Sequence, residues 1–139
     1  MLEIKPLKKF SATITIPGSK SYTNRALVLA ALAPGNSTLR SPVFCQDTLL
    51  MLEALEALGF SLEVSEEERM IGVGGEGGTI PAAAAEISVG NAGTVARFVT
   101  ALAALGRGSF RISGSDRMQV RPMDDLLHAL RALGGDVVC

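Results

Sequence analysis

The order of apolar and polar residues along the chain predicts strands that alternate with helices. Residues 11–16 alternate with period two, as a strand does, and the apolar run 26–33 consists of good helix formers. Helical spacing recurs at 51–58, and two short strand patterns follow at 60–64 and 70–74. This alternation favours an α/β fold, which some schemes class as α+β.

An internal repeat organises the sequence. A shift of 72 residues superposes three pairs of identical residues: Gly18 with Gly90, Arg25 with Arg97 and Ser37 with Ser109. A shift of 75 places the helix pattern at 51–58 on a second one at 126–133. Each copy is therefore expected to hold a helix, a short strand and a second helix in that order. We predict a first repeat over 17–80 and a second over 81–139, with a helix at 95–105 and strands at 37–40 and 109–113.

The first copy ends in a hairpin that the second copy lacks. Strands 60–64 and 70–74 are expected to pair across the polar turn 65–69. In the second copy, residues 136–138 correspond to the first strand of that hairpin, and the sequence stops at Cys139. We interpret the sequence as a truncated or split protein whose last strand has an unpaired edge.

Composition excludes several classes of protein. The chain has 13 Lys and Arg against 14 Asp and Glu, one Tyr and no Trp, which is poorly suited to nucleic-acid binding. No apolar run reaches the length of a membrane span. Cys45 and Cys139 lack the spacing of metal ligands, and their small number points to a reducing compartment. We expect a cytoplasmic protein with no nucleic-acid or membrane partner.

A candidate anion site lies where the first predicted strand gives way to the first helix. Within six positions the sequence gathers Lys20, Ser21, Thr23 and Arg25. The first N–H groups of a helix lack intrahelical partners, and the helix dipole favours negative charge there, so a phosphate would gain both donors and a positive field. The alternative is a capped helix with two solvated cations.

Three motifs together resemble the family of 5-enolpyruvylshikimate-3-phosphate (EPSP) synthases: Pro17-Gly18-Ser19-Lys20-Ser21 with Asn24-Arg25-Ala26, Gly90-Asn91-Ala92-Gly93-Thr94 with Arg97, and Arg121-Pro122. The resemblance spans nearly the whole chain. It implies repeated βαβαββ units in two domains with the active site in the cleft between them. About two copies would lie in this chain, the second incomplete, and residues 1–16 would belong with the missing second domain.

The same resemblance implies an activity and its ligands. Members transfer the enolpyruvyl group of phosphoenolpyruvate to the 5-hydroxyl of shikimate 3-phosphate, on the route to aromatic amino acids. They use no metal or organic cofactor, and glyphosate inhibits them. The implied partner is the missing carboxy-terminal part of the enzyme, and we expect the chain to be inactive without it.

The resemblance also assigns roles to individual residues. Lys20 would contact both substrates and act as the catalytic residue. Ser21 and Arg25 would bind shikimate 3-phosphate with Lys20, whereas Gly93 and Arg121 would bind phosphoenolpyruvate with it. Gly93 fits this role because a backbone without a side chain lets a ligand approach closely.

Four further residues are expected to support the site without contacting substrate: Asp47, Asn91, Thr94 and Arg97. Asp47 would orient neighbouring cations, although helix capping is an equal alternative for Asp47 and Asn91. Phe98 departs from the family pattern, because many members have proline there.

Two other functions remain open. The related UDP-N-acetylglucosamine enolpyruvyl transferases share the repeats, but they pair their lysine with asparagine where this chain has Lys20-Ser21, and Asp116 stands about where they place a reactive cysteine. The other alternative is a non-catalytic phosphate-binding or interaction module whose unpaired edge recruits a partner. The G-x-G-x-x-G pattern at 72–77 lacks the following crossover helix of a dinucleotide site, and we predict a linker between repeats there.

Overall fold

The structure, a computed structural model, describes residue 6 and residues 9–139. Helices and strands alternate along most of this part of the chain, as the sequence predicts. The elements are α1 Lys20–Leu32, β1 Pro34–Arg40, α2 Gln46–Ala57, β2 Ser61–Ser65, β3 Met70–Glu76, β4 Ala84–Ser88, α3 Gly93–Ala103, β5 Ser109–Ser113, α4 Asp116–Gln119 and α5 Asp124–Ala132. Among them is no helix with the length and apolarity needed to cross a membrane.

The first half of the chain forms a three-stranded antiparallel sheet with β3 in the centre, between β1 and β2. Strands β2 and β3 form the predicted hairpin, and its register runs from Ser61 opposite Gly74 to Ser65 opposite Met70. Arg69 closes the turn with a φ of 51°, a left-handed conformation that is uncommon outside glycine.

The prediction of a linker at 72–77 is wrong, because β3 extends through Glu76. In this strand Gly75 is needed for close packing and not for flexibility. A Cβ on Gly75 would collide with the backbone carbonyl oxygens of Ala30 and Ala33 at the end of α1. The strand therefore needs glycine in order to approach the helix.

The second half contains a two-stranded parallel sheet, in which Ala84 pairs with Ser109 and Ser88 with Ser113. Helix α3 connects the two strands, as a parallel pair requires. The short helix α4 and helix α5 follow β5, and α5 packs against α3.

Two predicted strands are not formed. Residues 11–16 are all exposed and have no regular structure in the described chain, with Ile14 77% and Ile16 78% exposed. Residues 136–138 likewise form no strand within residues 9–139. Both sequence patterns suit a strand, but a strand is stable only when a neighbour satisfies its N–H and C=O groups. Strand β2, which has such a neighbour in β3, is formed.

One continuous hydrophobic core holds the two halves together. Helices α1, α2 and α3 contact one another, and α2 contacts both β2 of the first sheet and β4 of the second. The largest fully buried apolar side chains come from both halves and include Leu27, Met51, Leu55, Ile71, Val95 and Val99. This core fixes the beginnings of the three helices relative to one another.

Candidate functional site

The loop before α1 is fastened to the segment that follows β1. A Cβ on Gly18 would lie 2.8 Å from the carbonyl oxygen of Ser41, so glycine is needed for this close approach. The Thr23 hydroxyl donates to the carbonyl oxygen of Ser19 at 3.0 Å and accepts from the N–H of Val43 at 3.2 Å. Ser19 is the N-cap, and its hydroxyl accepts from the N–H of Tyr22. Helix α1 therefore begins at a fixed place, with its first residue Lys20 exposed.

Lys20 forms an ion pair with the first turn of α2. Its Nζ lies 2.9 Å from Oδ2 of Asp47, and the lysine and aspartate side chains are 50% and 25% exposed. The hydrogen bond to Asp47 and the attraction of its charge raise the pKa of Lys20 above the ordinary value of 10.5. The ammonium is therefore fully charged at neutral pH.

Ser21 and Arg25 lie one turn apart on α1. Arg25 Nη1 donates to the carbonyl oxygen of Ser21 at 3.1 Å, and its guanidinium lies over the ring of Phe98 at 5.9 Å from the centroid. Both Ser21 and Arg25 are exposed. Arg25 uses one of its five donors in the bond to Ser21, and a planar guanidinium suits phosphate and carboxylate groups.

A second group of predicted residues meets at the beginning of α3. A Cβ on Gly93 would lie 2.6 Å from Nη1 of Arg121 and 3.5 Å from Nη1 of Arg97. Arg97 donates to the carbonyl oxygen of Gly93 at 3.2 Å and to that of Pro122 at 2.7 Å. Arg97 thus ties α3 to the segment before α5, and its bonds to two backbone carbonyls favour a supporting role. Arg121 lies in the segment between α4 and α5, three residues before α5 begins.

Helix capping does not account for Asp47 or Asn91. The N-cap residues of α2 and α3 are Cys45 and Ala92, and neither side chain makes a capping hydrogen bond. Asn91 is exposed and precedes the cap, while Thr94 is half-buried in the first turn of α3. The first turn of α3 is therefore left without a side-chain acceptor from its N-cap residue, as an anion-binding helix terminus needs to be.

Contacts between the helices show that their beginnings lie at one end of the helical layer. The Lys20–Asp47 ion pair joins the first turns of α1 and α2. A Cβ on Gly90, just before α3, would lie 3.2 Å from Leu50 of α2. Arg25 and Phe98 occupy the sixth positions of α1 and α3, so those two helices meet at equal depth.

This end of the layer concentrates positive charge. It carries four cationic side chains and one carboxylate: Lys20, Arg25, Arg97, Arg121 and Asp47. The dipoles of three helix N-termini add to this charge. Such an arrangement can bind ligands that carry several anionic groups. The described residues contain no group of three or more His, Cys, Asp or Glu placed to hold a metal ion.

The sequence did not predict two features of this region. The contact of Phe98 with Arg25 depends on how α1 and α3 pack, although Phe98 directly follows Arg97, the residue that corresponds to Arg25 in the second repeat. Asn24 is fully buried, and neither atom of its side-chain amide has a hydrogen-bond partner in the described part of the chain. The burial of Asn24 could have been inferred from its place on the apolar face of α1, one turn after Lys20.

A separate groove of about 790 Å³ lies between β5 and α5. Arg121 and Pro122 are part of its wall, but much of the lining is apolar, including Phe110, Ile112 and Leu127. This lining suits packing against another part of a protein better than it suits an anion.

Comparison with known proteins shows which family the chain belongs to. Residues 4–139 match the family model described as EPSP synthase (3-phosphoshikimate 1-carboxyvinyltransferase). A 3-phosphoshikimate 1-carboxyvinyltransferase of Trichormus variabilis is 50% identical over 123 residues, which cover 88% of this chain and 29% of that protein. Its counterpart in Nostoc punctiforme is 45% identical over 137 residues, covering 98% of this chain and 32% of that protein.

The fold is also similar to solved structures. The EPSP synthase from Acinetobacter baumannii matches with a TM-score of 0.73 at 25% identity, over 88% of this chain and 28% of that one. The predicted α/β fold class is confirmed by this match. The chain spans less than a third of the length of the relatives that it matches.

Proposed function

Since the chain belongs to the EPSP synthase family, we propose that it supplies one face of the active site of a 3-phosphoshikimate 1-carboxyvinyltransferase. The observation that carries the proposal is the concentration of the Lys20, Arg25 and Arg121 side chains around helix N-termini that meet at one end of the fold. Both proposed substrates, phosphoenolpyruvate and shikimate 3-phosphate, carry a phosphate and a carboxylate. A site for the pair must therefore neutralise several negative charges.

We assign the shikimate 3-phosphate side to α1. The hydroxyl of Ser21 donates to the substrate, and the guanidinium of Arg25 forms charge-assisted hydrogen bonds with an anionic group. Phosphoenolpyruvate lies against Gly93, close to the backbone N–H groups at the beginning of α3, and pairs with Arg121. The adjacent position of Gly93 and Arg121 supports this assignment.

Lys20 stands between the two substrates as a protonated ammonium. Because Asp47 raises its pKa, Lys20 acts as a cation or a proton donor at neutral pH, not as a base. The reaction adds the 5-hydroxyl to the enol carbon of phosphoenolpyruvate, forms a tetrahedral intermediate and releases phosphate. The chain contributes position and positive charge to these steps, and the proposed reaction requires no metal or organic cofactor.

The remainder of the enzyme is the proposed partner of this chain, joined to it or as a separate chain. It would close the cleft over the helix N-termini and exclude water. Two features support a further contact surface: the apolar groove beside α5, and strand β5, which within the described residues pairs on one edge with β4. We place glyphosate in the phosphoenolpyruvate position. A cytoplasmic location stays a prediction.

Calorimetric titration with shikimate 3-phosphate tests the proposal, with UDP-N-acetylglucosamine as the comparison ligand. We expect saturable binding of shikimate 3-phosphate that weakens with added salt, since exposed charges are screened, and no binding of the nucleotide sugar. Binding of the nucleotide sugar alone would support the related transferase family instead. Equal binding of shikimate 3-phosphate and inorganic phosphate would reduce the site to a general anion-binding module.

A further inference from the structure

We propose that Phe98 is a positioning residue that holds the guanidinium of Arg25 in place for an anionic group of the substrate. The inference rests on the function proposed above for Arg25. Its structural basis is the distance of 5.9 Å from the Arg25 Cζ to the centroid of the Phe98 ring. A cation this close to the face of an aromatic ring is attracted by the negative charge of that face.

The position of the Arg25 guanidinium over the Phe98 ring leaves hydrogen-bond donors of the arginine available for a substrate. A guanidinium has five N–H donors, and its attraction to the face of an aromatic ring does not require a hydrogen-bond acceptor. Arg25 donates one bond to the carbonyl oxygen of Ser21 at 3.1 Å. With one donor bonded to Ser21 and the cation held over the Phe98 ring, the other donors stay available to a phosphate or carboxylate.

The two side chains differ in burial, which indicates that Phe98 positions Arg25 and not the reverse. Phe98 is half-buried and packs against the hydrophobic core, so its ring is held by its neighbours. Arg25 is exposed and belongs to a residue type with many rotamers. The ring therefore restricts the arginine, and an arginine already ordered loses less entropy when the substrate binds.

Neighbouring residues on α3 place the contact between the two substrate positions. Arg97 extends to Pro122 and lies against Gly93, on the proposed phosphoenolpyruvate side. The next residue, Phe98, extends to Arg25, on the proposed shikimate 3-phosphate side. Loss of the ring should therefore weaken the binding of shikimate 3-phosphate more than the binding of phosphoenolpyruvate.

The competing explanation is that Phe98 only fills space in the core. Three substitutions separate the two roles. Phe98→Leu removes the ring, Phe98→Tyr keeps it, and Phe110→Leu removes another half-buried phenylalanine that packs on the same core from β5. If the two phenylalanines only fill space, loss of volume at residue 98 or at residue 110 should have similar effects. If Phe98 positions Arg25, only loss of the ring at residue 98 should affect binding.

The first measurement is independent of substrate. Protons of the Arg25 side chain that lie over an aromatic face resonate upfield in NMR spectra. We expect this shift in the unsubstituted chain and in Phe98→Tyr, and its loss in Phe98→Leu. Absence of the shift in the unsubstituted chain would overturn the proposal, whatever the fate of the proposed function.

The second measurement is the dissociation constant for shikimate 3-phosphate. We expect Phe98→Leu to weaken binding about two- to fivefold, Phe98→Tyr to restore it and Phe110→Leu to leave it unchanged. In an Arg25→Ala background, Phe98→Leu should have no further effect. Unchanged binding in Phe98→Leu, or an equal loss in both backgrounds, would overturn the positioning role alone. An unsubstituted chain that shows the ring shift but does not bind shikimate 3-phosphate would overturn the proposed function and this role with it.

Discussion

The Nζ of Lys20 lies 2.9 Å from Oδ2 of Asp47, so a single ion pair joins the first turns of two helices that are 26 residues apart at their starts. The pair brings a cation to an end of the fold where helix dipoles already favour anions. Asp47 offsets part of that charge and holds the ammonium in one place. The carboxylate thus keeps Lys20 both protonated and positioned.

Replacement of Asp47 by Asn should lower the pKa of Lys20 towards its ordinary value. The hydrogen bond and the charge of Asp47 are the main causes that raise this pKa. The stabilisation from the pair is complete below pH 10.5, the ordinary value, and is lost as the pH rises through the higher pKa of the folded state. The NMR shift of Lys20 Cε, followed between about pH 9 and 12, measures this change.

Asp125→Asn, on α5, removes the same charge elsewhere and is the matched control. An equal effect of both substitutions on the Lys20 pKa would mean that net charge, and not the ion pair, sets it.

Lys20→Ala and Arg25→Ala should each weaken the binding of shikimate 3-phosphate, because each removes a cation from a site proposed to hold anionic groups. Lys20→Ala also leaves the Asp47 carboxylate without its cation, which adds repulsion towards a phosphate. In the complete enzyme it should therefore lower kcat as well, whereas Arg25→Ala should mainly affect binding. Calorimetry and steady-state kinetics measure the two effects. Arg107→Ala, in the loop after α3, removes an exposed cation from the other end of that helix and should change neither quantity.

Gly93→Ala should displace the guanidinium of Arg121, because the added Cβ would lie 2.6 Å from its Nη1. The obstacle is the far end of a flexible side chain and the φ of Gly93 is not positive, so the fold should survive. In the complete enzyme we expect a higher KM for phosphoenolpyruvate, a greater loss of glyphosate affinity and nearly unchanged binding of shikimate 3-phosphate, and all three constants are measured there. In an Arg121→Ala background the alanine should have a smaller effect. Equal weakening of both substrates would indicate a general packing defect.

The 139-residue chain by itself should have no measurable transferase activity. It lacks the opposing face of the proposed cleft and cannot exclude water from the reacting groups. Phosphate release in the presence of both substrates is the assay. Addition of the carboxy-terminal remainder of a relative should restore turnover if the two pieces associate, and turnover by the chain alone would contradict the proposal of a shared site.

Gly75→Ala should destabilise the fold by about 1–3 kcal/mol, a typical cost of overpacking. Its Cβ would meet the carbonyl oxygens of Ala30 and Ala33, which belong to the backbone and cannot move aside easily. Gly74→Ala is the matched control in the same strand, because its Cβ would lie 3.3 Å from the Cβ of Ser61. Urea unfolding of both variants provides the comparison. A Gly75→Ala midpoint equal to that of the unsubstituted chain would show that α1 and β3 can separate slightly at no cost.

Local sequence determined where most helices lie and, for α1 and α3, which residues begin them. A serine before Lys20 and a glycine turn before Gly93 are signals within a few residues, because capping and positive φ are local properties. The hairpin of β2 and β3 could also be predicted from the sequence, because both strands and their polar turn are contiguous in the chain. The repeat then indicated which helix starts correspond, although the roles of the site residues stay predictions.

Tertiary structure decided the rest. The alternating segment 11–16 looks like a strand but has no partner in the described chain, and Gly75 looks like a linker residue but lies in a strand packed on α1. The contacts of Lys20 with Asp47 and of Arg25 with Phe98 join residues 27 and 73 positions apart. Sequence spacing does not encode such distances, because they depend on how three helices share one core.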